Sequence, residues 1–173
     1  MPTKKQILRV REWLSEPPFE DARRLHEPRE FSYEDWFERG RALPAVTESL
    51  IEILSGEPLD RPTRFNYGAA YALGWVGDRR ALPTLLQTMN APHPLVRMES
   101  VAALGRLGDV SVVDSILAKL NDPKEQADVR ANACVALGTL KAPGAKQALE
   151  RARRDGDDFI VRSAEAALRL LNE

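Results

Sequence analysis

The chain repeats one short sequence three times, and this repetition decides the fold. Ala103-Leu-Gly-Arg-Leu-Gly-Asp109 has close copies in Ala72-Leu-Gly-Trp-Val-Gly-Asp78 and Ala136-Leu-Gly-Thr-Leu-Lys-Ala142. Each copy begins in an alanine-rich segment with apolar residues at three- and four-residue spacing, which predicts an amphipathic helix. A later glycine followed by aspartate favours a left-handed helix end and the start of another helix. Each copy is therefore predicted to be a turn between two helices.

The spacing of the copies predicts a stack of helical repeats. Leu73, Leu104, Leu137 and Leu168 are separated by 31, 33 and 31 residues. Second helices are predicted over residues 79–90 and 110–121, and a proline-containing segment ends each of them. A helix pair with an uncovered apolar side needs a neighbouring pair, so we expect an all-α fold, an α-α superhelix forming a short solenoid.

Val-Arg pairs precede two of the motifs at a fixed distance. Five residues separate Val96-Arg97 from Ala103-Leu-Gly105, and five separate Val129-Arg130 from Ala136-Leu-Gly138. In this pattern the chain resembles HEAT-like repeats of the type named after the phycobilisome lyases. The resemblance covers residues 62–173, about three and a half copies. It implies a HEAT-like repeat solenoid.

The N-terminal third is predicted to hold a degenerate repeat unit and a helical cap. Arg41-Ala-Leu-Pro44 matches Arg80-Ala-Leu-Pro83, which predicts a degenerate unit over residues 32–61, with one helix opening at Ser32 and another over residues 42–54. Residues 1–31 are predicted to form the cap, with a helix over 3–14 and a proline-rich segment over 15–31.

Aromatic residues are concentrated in the same part of the chain. Six of the eleven aromatic residues precede position 40, and we expect them to fill the open end of the stack. The alternative is a ligand or peptide pocket around Trp13, Trp36 and Phe37.

Composition bounds the class of protein. The chain has 173 residues, of which 43% are apolar and 29% are charged, as expected for one soluble domain. It has neither a long apolar run nor a secretory signal, so a cytoplasmic location without membrane contact is expected. A net charge of −1 gives no general nucleic-acid footprint. Residues 1–60 nevertheless carry nine basic against thirteen acidic residues, and residues 61–173 carry sixteen against thirteen.

Catalytic and metal-binding residues are scarce. His26, His93 and Cys134 are the only histidines and cysteine, so no catalytic, cofactor-binding or metal site is predicted. HEAT-like di-iron hydroxylases use several His-Glu pairs in successive repeats, whereas only His26-Glu27 occurs here. Cys134 stands among alanines, where a buried packing residue is expected.

Three function classes are consistent with these observations. The first is a non-enzymatic protein-protein interaction scaffold that uses the concave face of the solenoid and needs no cofactor. The second, implied by the resemblance, is a phycobilin lyase subunit or chromophore-protein chaperone that binds a bilin. The third is a HEAT-like DNA glycosylase, which the acidic N-terminal third and the single basic cluster at Arg151, Arg153 and Arg154 disfavour. The first requires no residue that the sequence lacks.

Two kinds of arginine are distinguished by their position. Arg97 and Arg130 begin the first helices of their repeats and are predicted to hold the stack together by binding carboxylates or carbonyls of the adjoining turn, with Asp109 and Asp122 as candidate partners. Arg106 falls outside the apolar stripe, so we expect its replacement by alanine to change stability little.

The repeat period also predicts a binding surface. Superimposed second helices place Glu48, Gln87, Ala118 and Arg151 in one row and Pro44, Pro83, Asp114 and Gln147 in another. Both rows avoid the apolar stripes and are expected on the concave side, where charge changes from acidic to basic along the first row. The residues predicted to contact a protein partner are Glu48, Glu52, Gln87, Arg151 and Arg154, with Trp36 marking the alternative site at the N-terminal end.

Overall fold

The computed structural model describes residues 1–16, 32–56 and 58–172. In these ranges the chain forms ten α-helices and no strand, which confirms the all-α prediction. The helices are α1 (Lys4–Leu14), α2 (Tyr33–Arg41), α3 (Val46–Ser55), α4 (Arg64–Val76), α5 (Leu82–Thr88), α6 (Pro94–Leu107), α7 (Val113–Asn121), α8 (Ala127–Thr139), α9 (Lys146–Ala152) and α10 (Asp158–Leu171). Short 3-10 turns at Arg79–Ala81, Val110–Val112 and Pro143–Ala145 precede α5, α7 and α9.

Long and short helices form two layers. The long helices α4, α6, α8 and α10 pack side by side in chain order. Each of the shorter helices α3, α5, α7 and α9 packs most extensively on the long helix that follows it. The sequence predicted a hairpin of each long helix with the short helix after it, but the closest pairing joins a short helix to the next long one.

The first glycine of each motif lies where two long helices touch. A Cβ atom on Gly105 would lie 2.7 Å from the Cα atom of Ala136 in the next long helix. The same contact recurs for Gly74 against Ala103 and for Gly138 against Ala167. A side chain at these positions would push neighbouring helices apart, so this glycine sets the spacing of the stack.

The second glycine of the motif ends a helix, as predicted. Gly77 and Gly108 have φ values of +78° and +70°, the left-handed conformation in which glycine carries no steric penalty. Asp78 and Asp109 then accept backbone hydrogen bonds at 3.0 Å that cap the following 3-10 turns. In the third copy Lys141 adopts the same conformation, with φ of +48°.

Two tryptophans fill the space between α1 and α2. The rings of Trp13 and Trp36 are stacked with centroids 4.2 Å apart, and both side chains are buried. Gly40 lies directly against the Trp13 ring. A Cβ atom at this position would lie 2.1 Å from Cζ2 of Trp13, so there is no room for a side chain. These two aromatic side chains are therefore core residues and do not line a pocket.

The N-terminal elements depart from the sequence prediction in one respect. Ser32 caps α2 as expected, since its hydroxyl accepts the backbone N–H of Asp35 at 3.2 Å. The next helix, predicted from residue 42, begins at Val46, because Ala45 adopts a left-handed conformation. Residues 17–31, with His26 and most of the proline-rich segment, lie outside the described residues. Within the described ranges, no helix is long and apolar enough to span a membrane.

Candidate functional site

The exposed sides of the short helices α3, α5, α7 and α9 form what we call the short-helix face. The predicted rows lie here, and their exposed members are Pro44 just before α3, Pro83, Gln87, Asp114, Ala118, Gln147 and Arg151. Glu52 on α3 and Arg154 after α9 are also exposed. Glu48 is half-buried because its carboxylate pairs with the guanidinium of Arg80, which also binds Asp78.

A groove of about 510 Å³ opens between α5 and α7. Its apolar lining comes from Leu86, Met89 and Ala118. Its polar lining comes from Asn90, Ser115, Lys119 and Asp122. Helical periodicity places Leu86 and Met89 on the apolar side of the second helix, so the sequence does not indicate that they line a groove.

The groove stays open because Ala118 has a short side chain. One repeat later the equivalent position is Arg151, whose Nη2 donates a hydrogen bond to Oδ1 of Asn121 at 3.3 Å. That bond connects α9 to the end of α7. Ala118 cannot reach across to α5 in this way, and its small size is the one feature of the sequence that could have indicated the groove.

A buried carboxylate lies behind one side of the groove. Glu125 is 4% exposed, and it accepts hydrogen bonds from Nε of Arg97 at 3.0 Å and from Nζ of Lys119 at 3.2 Å. Burial alone would raise the pKa of Glu125, but hydrogen bonds from Arg97, the Gln126 amide and Lys119 outweigh it, so the pKa lies below its ordinary value. The loop before α8 is thereby attached to α6 and α7.

Arg97 and Arg130 join successive repeats. Arg97 also donates to the carbonyl oxygen of Ala91 at 2.9 Å. Arg130 donates to the carbonyl oxygen of Leu120 at 3.1 Å and to the carboxylate of Asp155 at 2.7 Å. Both arginines thus bind a carboxylate and a carbonyl, as predicted.

The predicted carboxylate partners of these arginines were wrong. Asp109 caps the turn at Ser111, and Asp122 accepts the backbone N–H of Lys124 at 2.9 Å. The partners are instead Glu125 and Asp155, in the loops that lead into the next long helix. Because that helix packs beside the arginine's own helix, its entry loop comes within reach of the guanidinium.

A further Val-Arg pair, Val161-Arg162, is one residue out of register with Val96-Arg97 and Val129-Arg130. Ile160, which is fully buried, takes the place that Val129 has in α8, and Arg162 is exposed. At the other end of the stack Asn66 takes the arginine's place and donates to the carbonyl oxygen of Ile53 at 3.2 Å.

Arg106 is not the free surface residue that the sequence suggested. Its guanidinium carbon lies 4.9 Å from the ring centroid of Tyr71 and 5.1 Å from that of Trp75, and its Nη1 is buried. Helical periodicity places Arg106 outside the apolar stripe of α6, but the aromatic side chains of Tyr71 and Trp75 on α4 cover it. Trp36 is 0% exposed, so its ring is not available to a partner here, whereas Trp75 is 38% exposed.

The candidates for nucleophilic or metal chemistry have structural surroundings. Cys134 is fully buried, as expected, and burial raises the pKa of its thiol to about 12. The Nδ1 atom of His93 accepts the backbone N–H of Leu95 at 3.3 Å and so caps α6. Over residues 1–16, 32–56 and 58–172, no group of three or more His, Cys, Asp or Glu side chains is placed to hold a metal ion.

Layered long and short helices with an exposed short-helix face define an α-solenoid repeat protein. Residues 47–127 and 111–169 match the family model for HEAT repeats, and the chain belongs to the HEAT-repeat family. The resemblance seen in the Val-Arg and Ala-Leu-Gly motifs is thus confirmed.

Curated relatives share part of the chain. Deoxyhypusine hydroxylase of Danio rerio is 30% identical over 132 residues, which make up 75% of this chain and 43% of that protein. Deoxyhypusine hydroxylase of Bos taurus is 41% identical over 56 residues, or 31% of this chain and 18% of that protein. The matched segments span less than half the length of these relatives.

Two solved structures have a similar fold. The complex of CpcE and CpcF of phycocyanin lyase from Nostoc sp. PCC7120 contains a chain with a TM-score of 0.62 and 21% identity, covering 82% of this chain and 61% of that one. Human deoxyhypusine hydroxylase in complex with glycerol has a TM-score of 0.62 and 24% identity, covering 98% of this chain and 63% of that one. At these identities the likeness concerns the fold.

Proposed function

We propose that this HEAT-repeat protein is a cytoplasmic, non-enzymatic interaction scaffold that binds a protein partner on the short-helix face. The groove between α5 and α7 carries the proposal, because it combines an apolar floor with polar edges on an exposed surface. Protein interfaces have this composition, with an apolar centre and a polar rim.

The internal bonds of the stack support a binding surface that exists before the partner arrives. Arg97 and Arg130 form salt bridges with the loops that lead into the next long helices. In the first of these loops Glu125 also forms a salt bridge with Lys119, which lines the groove. A preformed surface loses little conformational entropy on binding, which favours affinity. The complex of CpcE and CpcF is a case in which a chain of this fold assembles with another protein.

Charge on the short-helix face would orient the partner. Arg151 and Arg154 are exposed at one end, and Glu52 is exposed at the other. Glu48 contributes less than the sequence suggested, because Arg80 neutralises it. Complementary charge acts chiefly on the rate of encounter, so these residues are proposed as the rim of the site.

Site-specific photocrosslinking would test the proposal. A benzoylphenylalanine at Gln87 lies on the short-helix face, and one at Thr139 lies at the exposed end of a long helix, as the matched control. We expect Gln87 to crosslink one stoichiometric protein and Thr139 to crosslink none of it. Crosslinking from Thr139 alone would contradict the proposal.

Charge reversal in this chain would test the rim, with association to the same crosslinked partner as the measurement. Glu52→Lys, or Arg151→Glu with Arg154→Glu, should slow association at low salt and leave the fold intact, whereas Glu48 is left unchanged because it pairs with Arg80. Unchanged association by both variants at low and physiological salt would remove these residues from the site.

A phycobilin lyase subunit or chromophore chaperone is the second candidate. The likeness of fold to the phycocyanin lyase chain supports it, and the absorption spectrum of added phycocyanobilin would test it. A red-shifted, intensified band would favour this candidate over the scaffold, and an unchanged spectrum would contradict it. Hydroxylase activity is not part of the proposal: the match to the Danio rerio hydroxylase covers only 43% of that protein, and the one histidine that the structure describes, His93, caps α6.

A further inference from the structure

We infer that the partner segment bound in the groove is an acidic amphipathic helix, with one apolar side chain between α5 and α7 and acidic side chains near Lys119, Arg151 and Arg154. This inference rests on the proposed function and names the chemistry of the partner. It follows from the walls of the groove, from the donors that line it and from the charge of the next repeat.

The walls of the groove favour a helix over an extended segment. The backbone carbonyls at the end of α5 are already taken, because Asn90 donates to those of Leu86 and Gln87 and the Ala91 N–H donates to that of Thr88. An extended peptide would find few main-chain partners there, whereas a helix satisfies its own backbone. A helix can also present apolar side chains on one side, which is the usual way in which a groove between helices is filled.

Lys119 provides the cation inside the groove. An ammonium group has three donors, and Lys119 uses one of them on Glu125 at 3.2 Å. Glu125 also accepts from Arg97 and from the backbone N–H of Gln126 at 2.9 Å, so Lys119 can turn toward a second carboxylate without leaving Glu125 unpaired.

The next repeat adds two guanidinium groups. Arg151 bonds to the neutral amide of Asn121, and Arg154 is exposed. Against these cations stand Asp122, which lines the groove and is bound by the Lys124 amide, and the exposed Asp114. Because Arg97 compensates Glu125, the three cations Lys119, Arg151 and Arg154 exceed the two carboxylates, so the balance of charge at the groove and beyond it is positive and complements an acidic segment.

The dimensions are also consistent with a helix. Packed helices lie about 8 to 10 Å apart, so Arg151 is about one such step from the groove. Seven residues of an α-helix rise about 10.5 Å. A helix that crosses the short helices can thus place an apolar residue in the groove and an acidic residue two turns later beside Arg151.

Selection from a phage library of random 16-residue peptides would test this inference. The purified full chain is the target, and Ala118→Arg, which fills the groove, is used for counterselection. We expect enriched peptides to contain an apolar residue followed about seven positions later by Asp or Glu, and the best synthetic peptide to bind Ala118→Arg at least tenfold more weakly. Thr139→Arg, with the same change of charge on a long helix, is the matched control and should bind normally.

A charge-reversed target separates the inference of an acidic partner helix from the proposed docking surface. Arg151→Glu with Arg154→Glu should weaken the best peptide at least tenfold at low salt, whereas Arg162→Glu with Arg169→Glu on α10 should not. If groove-dependent peptides are enriched but lack acidic residues, the inference is wrong and the proposed docking surface stands. If no peptide depends on Ala118, both are wrong. Circular dichroism and thermal unfolding of each variant confirm that binding is lost from a folded chain.

Discussion

Trp13 and Trp36 each donate an indole N–H to the backbone carbonyl of the other. Trp13 Nε1 lies 2.9 Å from the carbonyl oxygen of Trp36, and Trp36 Nε1 lies 3.2 Å from that of Trp13. Burying an indole leaves its N–H without water, so this exchange satisfies both donors inside the core. The pair joins α1 to α2 although 23 positions separate the two residues.

Gly40→Ala should loosen this pair. The added methyl group would overlap the Trp13 ring, which overpacks the site, so we expect the free energy of unfolding to fall by about 1 to 3 kcal/mol. Urea unfolding followed by tryptophan fluorescence measures the change. Gly144→Ala is the control, because its Cβ atom would meet nothing within 4 Å. Equal stability of Gly40→Ala and wild type would show that the indole packing is not tight.

Lys141→Gly should stabilise the protein. Relief of the left-handed strain, about 1 to 2 kcal/mol, exceeds the greater entropy of glycine in the unfolded chain, so a net gain of about 0.5 to 1 kcal/mol is expected. Gly108→Ala is the reciprocal change, at a position where the added Cβ atom would meet nothing within 4 Å, and should destabilise by about 1 kcal/mol. Thermal unfolding by calorimetry should therefore move in opposite directions for the two variants, and a shift in the same direction would contradict the argument.

Glu125→Gln should weaken the connection between repeats and change the pH dependence of stability. Loss of this buried charge leaves Arg97 and Lys119 poorly compensated, which should cost about 2 to 4 kcal/mol at pH 7. The pKa of Glu125 is depressed in the folded chain, so its stabilisation is present above its ordinary value of 4.5 and is lost as pH falls through the folded value.

The difference between wild type and Glu125→Gln should thus be constant above about pH 5.5 and shrink below pH 4.5. Urea titrations from pH 7 to pH 3 measure it. The exposed Glu165→Gln serves as the substitution control. A difference that does not shrink on acidification would refute the role assigned to Glu125.

Arg106→Ala should cost about 1 to 2 kcal/mol, because both the cation-π contacts and the packing of the alkyl chain are lost. Arg106→Met keeps most of the packing without the charge and separates the two effects. Arg79→Ala, at a side chain that is 66% exposed, should cost no more than about 0.5 kcal/mol. The free energy of unfolding is measured by chemical denaturation. Equal losses of stability for Arg79→Ala and Arg106→Ala would support the sequence-based expectation that Arg106 is a free surface residue.

Cys134 should resist thiol reagents until the chain unfolds. A pKa of about 12 leaves almost no thiolate at pH 8, and the side chain is fully buried. Labelling with a chromogenic disulfide reagent should follow the unfolding rate in water and be complete within the mixing time in denaturant. Rapid labelling of the native protein would mean that α8 opens locally.

The sequence predicts what depends on local conformation and misses what depends on neighbours. Gly108 and Asp109 were assigned correctly because a helix end and a cap are local events. Gly105 has an equally clear place in the motif, but only the approach of Ala136 explains it. Arg97 was correctly given a structural role with the wrong partner, since the loop that carries Glu125 comes close only once α8 lies beside α6.

The candidate site shows the same division. The exposure of Gln87 and Arg151 follows from helical periodicity and was predicted. The groove depends on the lateral gap between α5 and α7, which no pattern within one helix describes. Trp36 was assigned from its residue type, and its burial follows from a contact with Trp13 on another helix.

The contact between Gly105 and Ala136 gives the molecule a mechanical property. Because α5 rests on α6 and α7 rests on α8, the distance between the two long helices also governs the width of the groove on the opposite layer. A single methyl group added at residue 105 would act as a wedge far from the exposed surface. Evolution of such a protein can therefore adjust what the groove admits without changing a residue that lines it.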